Sequence, residues 1–163
     1  MKVYWDACAW IGLINEEPDK VRGLEYYYTK AKSDEAEIWT SLLNYVEIFK
    51  YRNEDANPKP WSVENTQKIR DIMEQPFVVR LNVDFNVVIR ARELLRTVPE
   101  LKRPNDAIHL ASALLFDVEE MHTYDRPHLL ALNSKVARAD GSFLKICVPA
   151  VPGNAPLLDG GVT

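Results

Sequence analysis

A chain of 163 residues with 47% hydrophobic and 27% charged residues suits one globular domain with a proper core. Its 20 basic and 24 acidic residues give a net charge of −4, which argues against a basic nucleic-acid coat protein. A nuclease stays open, because a metal and a few local cations can meet substrate phosphates.

KVYW, residues 2–5, reads as a short buried strand rich in β-formers. AWIGLIN follows as a short helix ending near Asn15 and Pro18, and residues 18–33 form a second helix on Val21, Leu24, Tyr27, Tyr28 and Ala31. EIWT, 37–40, is a second strand, after which Ser41 is expected to cap a helix carrying Leu42, Leu43, Val46, Phe49 and Lys50. NEDANPKPW, 53–61, is a polar loop, and a further helix begins near residue 62. FVVRL, 77–81, is a third strand, with Asn82 and Asp84 placed to cap the helix through IRARELLR. DAIHLASALLF is the most apolar helix, starting at Asn105–Asp106; MHTY, 121–124, and Leu144–Val148 complete five strands. This alternation predicts an α/β fold with a central, mostly parallel sheet and helices on both faces. Residues 1–148 are read as the domain and 149–163, with three prolines and three glycines, as a tail that wraps the surface or frays.

No apolar run approaches membrane-span length, and MKVYWDACAW has no signal-peptide pattern, so a cytoplasmic protein without a membrane partner is expected. Cys8 and Cys147 have neither metal-ligand spacing nor a disulfide framework, and Cys8 is read as a space-filler.

Four acids stand at the ends of otherwise apolar segments: Asp6, Glu47, Asp106 and Asp125. Burying one unpartnered carboxylate costs several kcal/mol, and two about 4 Å apart repel by roughly 4 kcal/mol at an effective dielectric of 20. A divalent cation turns that penalty into binding. Singly, each has an ordinary reading. Asp6 fits a helix cap, Glu47 a helix border, Asp106 a favourable first-turn charge and Asp125 a turn before Pro127. Asp6 and Asp125 directly follow strands, where ligands gather in parallel sheets. His109 reads as a hydrogen-bonded core residue before it reads as a ligand. Tyr26, Tyr27, Tyr28 and Trp39 read as packing before base stacking. Arg126 reads as a surface ion pair before a phosphate contact, and Asp117, Glu119 and Glu120 are expected to face solvent.

VYWDACAWIGLI, TSLLNYVEIFK, RPNDAIHLASALL and MHTYDR, with the acids 41, 59 and 19 residues apart, resemble the PIN-domain ribonucleases, especially the VapC-type toxins of toxin–antitoxin pairs. The resemblance spans residues 2–148 and implies a three-layer PIN-like fold of about five strands. It implies an endoribonuclease using Mg²⁺ or Mn²⁺, with Asp6, Asp106 and Asp125 as metal ligands, Glu47 as a fourth catalytic acid and Thr123 in support. Cys8 departs from the small polar residue frequent two places after the first aspartate. The resemblance also implies an RNA substrate, a homodimer and an antitoxin that inserts an arginine among the carboxylates. A catalytically weak RNA- or protein-binding module and a housekeeping nuclease without an antitoxin are the competing readings.

Overall fold

The computed structural model describes residues 1–54 and 62–153. Its strands are β1 (Lys2–Trp5), β2 (Glu37–Ser41), β3 (Val78–Leu81), β4 (Glu120–His122) and β5 (Lys145–Cys147). Its helices are α1 (Ala7–Ile14), α2 (Val21–Lys32), α3 (Leu43–Glu47), α4 (Val63–Met73), α5 (Phe85–Thr97) and α6 (Pro104–Leu115). The sheet runs β3-β2-β1-β4-β5, and every neighbouring pair is parallel. The chain therefore winds outward from β1 in one direction and resumes on its other side with β4. The boundary between β1 and β4 is the switch point where a crevice opens in such sheets. Trp5 pairs with His122 there, which brings the next residues, Asp6 and Thr123, side by side.

Alternation along β1 divides the core. Tyr4 faces a layer formed with α5 and α6, through Val87, Ala91, Leu94, Ala107, Leu110 and Ala111. Val3 and Trp5 face the opposite layer, where Trp10, Leu24, Ile69 and Met73 come from α1, α2 and α4. Both faces of β1 are covered, which explains its unbroken apolar run. The tyrosines of α2 serve packing. Tyr27 sits edge-on to His122, and the Tyr28 hydroxyl donates to the Ile72 carbonyl at 2.9 Å. Trp39 packs near Phe116 and donates to Glu37.

Two expectations need correction. Ser41 ends β2 and, as expected, its hydroxyl accepts from the Leu43 N–H at 3.1 Å at the start of α3, but α3 stops at Glu47 instead of running on through Phe49 and Lys50, and Val46 and Phe49 are exposed. Glu120 opens β4 and is largely shielded, bonded to Lys145 and to the buried His122, because β4 lies between β1 and β5 and sets it beside both partners. The expected parallel sheet is present, with every strand pair parallel. The loop expected at 53–61 and the tail lie mainly outside the described residues, but the chain as far as Gly153 is described. There the Pro149 carbonyl approaches α2 so closely that a Cβ on Gly23 would sit 2.2 Å from its oxygen. Gly23→Ala is therefore expected to destabilise the protein by about 1–3 kcal/mol, read as a lower urea midpoint with an unchanged slope. An unchanged midpoint would show that this contact does not hold the segment.

Candidate active site

Asp6 leaves β1 in extended conformation and caps α1, its Oδ1 accepting from the Ala9 N–H at 3.0 Å. Its Oδ2 accepts from the Thr123 hydroxyl at 2.5 Å. Thr123 also accepts from the Asp125 N–H at 3.0 Å, so one hydroxyl ties the ends of β1 and β4 together and orients two acids. Behind Asp6, the side-chain amide of Asn44 donates to the Trp5 carbonyl and to Thr40, which pins the end of β1.

Asp106 lies in the first turn of α6, a helix opened by Pro104, where the backbone N–H groups favour a negative charge. It is buried, and its Oδ2 has no hydrogen-bond partner. Glu47 is held by the same helix: Asn105 donates to Oε1 at 2.9 Å, and His109 Nε2 lies 2.8 Å from Oε2. The other nitrogen of His109 meets the Tyr4 hydroxyl at 2.7 Å. The buried histidine of α6 is thus the hydrogen-bonded core residue expected, but one of its partners is a site acid. Asp125 accepts from Arg103 on Oδ2 at 3.2 Å and meets His128 on Oδ1 at 2.8 Å.

The electrostatics match a crowded acidic pocket. Burial lifts Asp6 to about 6, against relief from His109, Thr123 and Ala9, while the Glu47 charge lifts it further. Burial also raises Asp106; Arg103 opposes the rise and the charge of Asp125 adds to it. Glu47 goes the other way: burial pushes it up, but the hydrogen bond and charge of His109, with Asn105, bring it below the ordinary carboxylate range. The Cys8 thiol is pushed up to about 12 by burial and by the charges of Asp6 and Asp125, so the metal-free chain carries it as a neutral thiol at neutral pH. These mutual influences put the four acids and Cys8 in one neighbourhood. Two buried carboxylates whose charged forms are disfavoured, one with an orphaned oxygen, fit a divalent cation held by oxygen ligands.

A PIN domain profile matches residues 3–129. The chain belongs to the PIN domain family. By membership it is a PIN-type nuclease, and the wholly parallel five-stranded sheet agrees with the PIN fold. Solved structures similar to it include VapC20 of Mycobacterium tuberculosis, described as a sarcin–ricin-loop-cleaving toxin. That toxin matches with a TM-score of 0.58 at 16% identity, covering 76% of this chain and 89% of that one. VapBC2 of Rickettsia felis, solved on a DNA fragment from its promoter, matches with a TM-score of 0.56 at 14% identity, covering 77% and 89%. At these identities the likeness is one of fold. No curated protein sequence matches significantly. Among the described residues no helix is long and apolar enough to cross a membrane.

Reading this PIN chain by sequence alone misses Arg103, His128, Asn44 and Asn105, all of which touch the site or its supports. Only RPND hints at Arg103, by placing a cation three residues before Asp106. Arg126 forms no ion pair among the described residues and lines a cavity with Lys20, Arg22 and Tyr124. A second polar cluster gathers Glu120, His122 and Cys147, with potential ligand atoms within 4.8 Å of one another. However, the Trp5 indole N–H donates to His122 Nδ1 at 3.1 Å, which leaves the imidazole proton on Nε2, facing Glu120. That cluster reads as a hydrogen-bonded group on the α2 face of the sheet.

Thr123→Val keeps the shape and removes the hydroxyl. Cation affinity, measured by Mn²⁺ titration calorimetry, is expected to fall about 10–100-fold, because Asp6 loses its orientation. Affinity within about twofold of wild type would leave Thr123 without that role.

Proposed function

We propose that the chain is a Mg²⁺- or Mn²⁺-dependent endoribonuclease and the toxin of a toxin–antitoxin pair. The observation that carries this reading is two buried carboxylates, Asp6 and Asp106, each raised by burial and each acting on Cys8, with Asp106 Oδ2 unpartnered among the described residues. Asp6 and Asp106 would hold the cation, and Asp125 would complete the site. A divalent cation there supplies Lewis-acid charge to the scissile phosphate and renders water acidic enough to act as nucleophile. Asp6 is aimed by Ala9 and Thr123, and Asp125 by Arg103 and His128, so neither carboxylate has to be ordered when the cation binds. Glu47 is ionised at neutral pH and locked by Asn105 and His109; its remaining lone pairs serve to orient the attacking water. Water as nucleophile yields 5′-phosphate and 3′-hydroxyl ends and leaves the ribose 2′-hydroxyl out of the attack. Preference for RNA then comes from shape and contacts outside the carboxylates.

The toxin half of the reading is supported by the VapC structural neighbours, one of them in a VapBC complex. An antitoxin arginine would meet the same charge that attracts the cation, and a homodimer follows from the family resemblance. The test is cleavage of total RNA with Mn²⁺ and mapped ends, beside an Asp106→Asn control. Tight Mn²⁺ binding without turnover would favour the binding-module reading. Cleavage by a chain encoded without a small neighbouring antitoxin gene would favour the housekeeping nuclease.

A further inference from the structure

Arg103 stands immediately before α6, with the extended backbone that a following proline imposes (φ −103°, ψ 129°). Asp106 is three residues further on, and the Arg103 charge is the strongest influence opposing the rise in the Asp106 pKa. One arm of the guanidinium, Nη1, donates to Asp125 Oδ2 at 3.2 Å, and the other, Nη2, lies 2.9 Å from His128 Nε2. Guanidinium nitrogens only donate, so His128 Nε2 must accept. The His128 proton therefore sits on Nδ1, facing Asp125 Oδ1 at 2.8 Å. Arg103, His128 and Asp125 form a closed ring of three hydrogen bonds whose polarity is set by the arginine.

This ring is more than an ordinary surface ion pair in two respects. The acid it engages is itself a proposed metal ligand, and Arg103 is half-exposed rather than sealed in. Nη1 and Nη2 each spend one N–H on the ring, so among the described residues Nε–H and the second proton on each Nη stay available to a further acceptor. A guanidinium fork accommodates a phosphate oxygen as well as a carboxylate, so a cation held by the ring with spare donors, at the border of a carboxylate cluster, is placed to meet a phosphate drawn to that cluster by its cation.

We propose that Arg103 is a catalytic residue of the same site, contacting a non-bridging oxygen of the scissile phosphate. The inference rests on the nuclease reading and extends it. In hydrolysis the water oxygen bonds to phosphorus and the bond from phosphorus to the 3′-oxygen breaks. The water gives up one proton, and the departing 3′-oxygen gains one. Negative charge builds on the phosphate oxygens as the new bond forms, and a preorganised guanidinium lowers the energy of that arrangement more than that of the bound substrate. Asp125 and His128 then act as positioning residues for the arginine, which gives Asp125 a second role beside cation binding.

The test compares wild type, Arg103→Ala, Arg103→Lys and Asp106→Asn by Mn²⁺ calorimetry and single-turnover RNA cleavage at saturating protein. Arg103→Ala is expected to bind Mn²⁺ within about threefold of wild type yet to cleave on the order of 100-fold more slowly. Added guanidinium ion at millimolar concentration should restore part of that rate, and Arg103→Lys should fall between, because it keeps the charge without the fork. A wild-type rate in Arg103→Ala overturns the inference. So does a loss of Mn²⁺ affinity in step with the loss of rate, which would make Arg103 only a holder of Asp125. If wild type binds Mn²⁺ and leaves RNA intact, the nuclease reading itself falls, and this inference with it.

Discussion

An Asp106→Asn protein is expected to lose Mn²⁺-dependent RNA cleavage by about three orders of magnitude while becoming more stable than wild type when both are metal-free. The loss follows from the cation's task. Lewis-acid stabilisation of the transition state supplies several kcal/mol, and each 1.36 kcal/mol is about tenfold in rate. An amide cannot replace a carboxylate as a charged ligand. The gain in stability follows from burial: Asp106 is held above its ordinary pKa, has an unpartnered Oδ2 and feels the charge of Asp125. Removing its charge removes a cost borne by the folded chain alone. The two readouts are cleavage with mapped ends and the urea midpoint in chelator. Full cleavage would sink the metal-ligand assignment, and a lower midpoint would sink the electrostatic account.

The second large effect is a dependence of stability on pH carried by Asp6. Burial, with the Glu47 charge, raises its folded pKa to about 6 against an ordinary 3.8. An acid raised in this way contributes stability that is complete below about pH 4 and lost as pH rises through about 6. The loss amounts to roughly 3 kcal/mol, at about 1.4 kcal/mol per pH unit. His122, which burial holds below its ordinary value, slopes the opposite way across part of the same window. The Asp6 contribution is therefore the difference between wild type and Asp6→Asn, which keeps the helix cap. In chelator, Asp6→Asn should be the more stable protein at pH 7.5, with the gap closing towards pH 4. Mn²⁺ should stabilise wild type more at pH 7.5 than at pH 5, because the cation must displace protons at low pH. A gap that does not change with pH would remove Asp6 as its source.

Much of the fold was legible because the local signals agreed. KVYW is apolar on both faces and became the central strand; Asp84 caps α5, accepting from the Val87 N–H at 3.0 Å. The misreadings occurred where tertiary contacts overrode local pattern. Leu42 to Lys50 reads as one helix behind a Ser41 cap; the Ser41 hydroxyl does accept from the Leu43 N–H, yet its backbone completes the pairing of β2 with β3 opposite Leu81, and α3 keeps only five residues. Glu120 looks like one acid in an exposed acidic run, yet Lys145 and His122 on the sheet claim it.

The same division applies to the site. Which acids end apolar segments, and in what order, can be read along the chain, because a strand end and a first helical turn are local features. Which of their oxygens are engaged depends on long-range contacts. Thr123 reaches Asp6 across 117 residues, Asn105 reaches Glu47 across 58, and Arg103 reaches Asp125 across 22. Hydrogen bonds at such separations depend on how β1, β4 and α6 converge at the switch point, and no periodicity along the chain encodes that convergence.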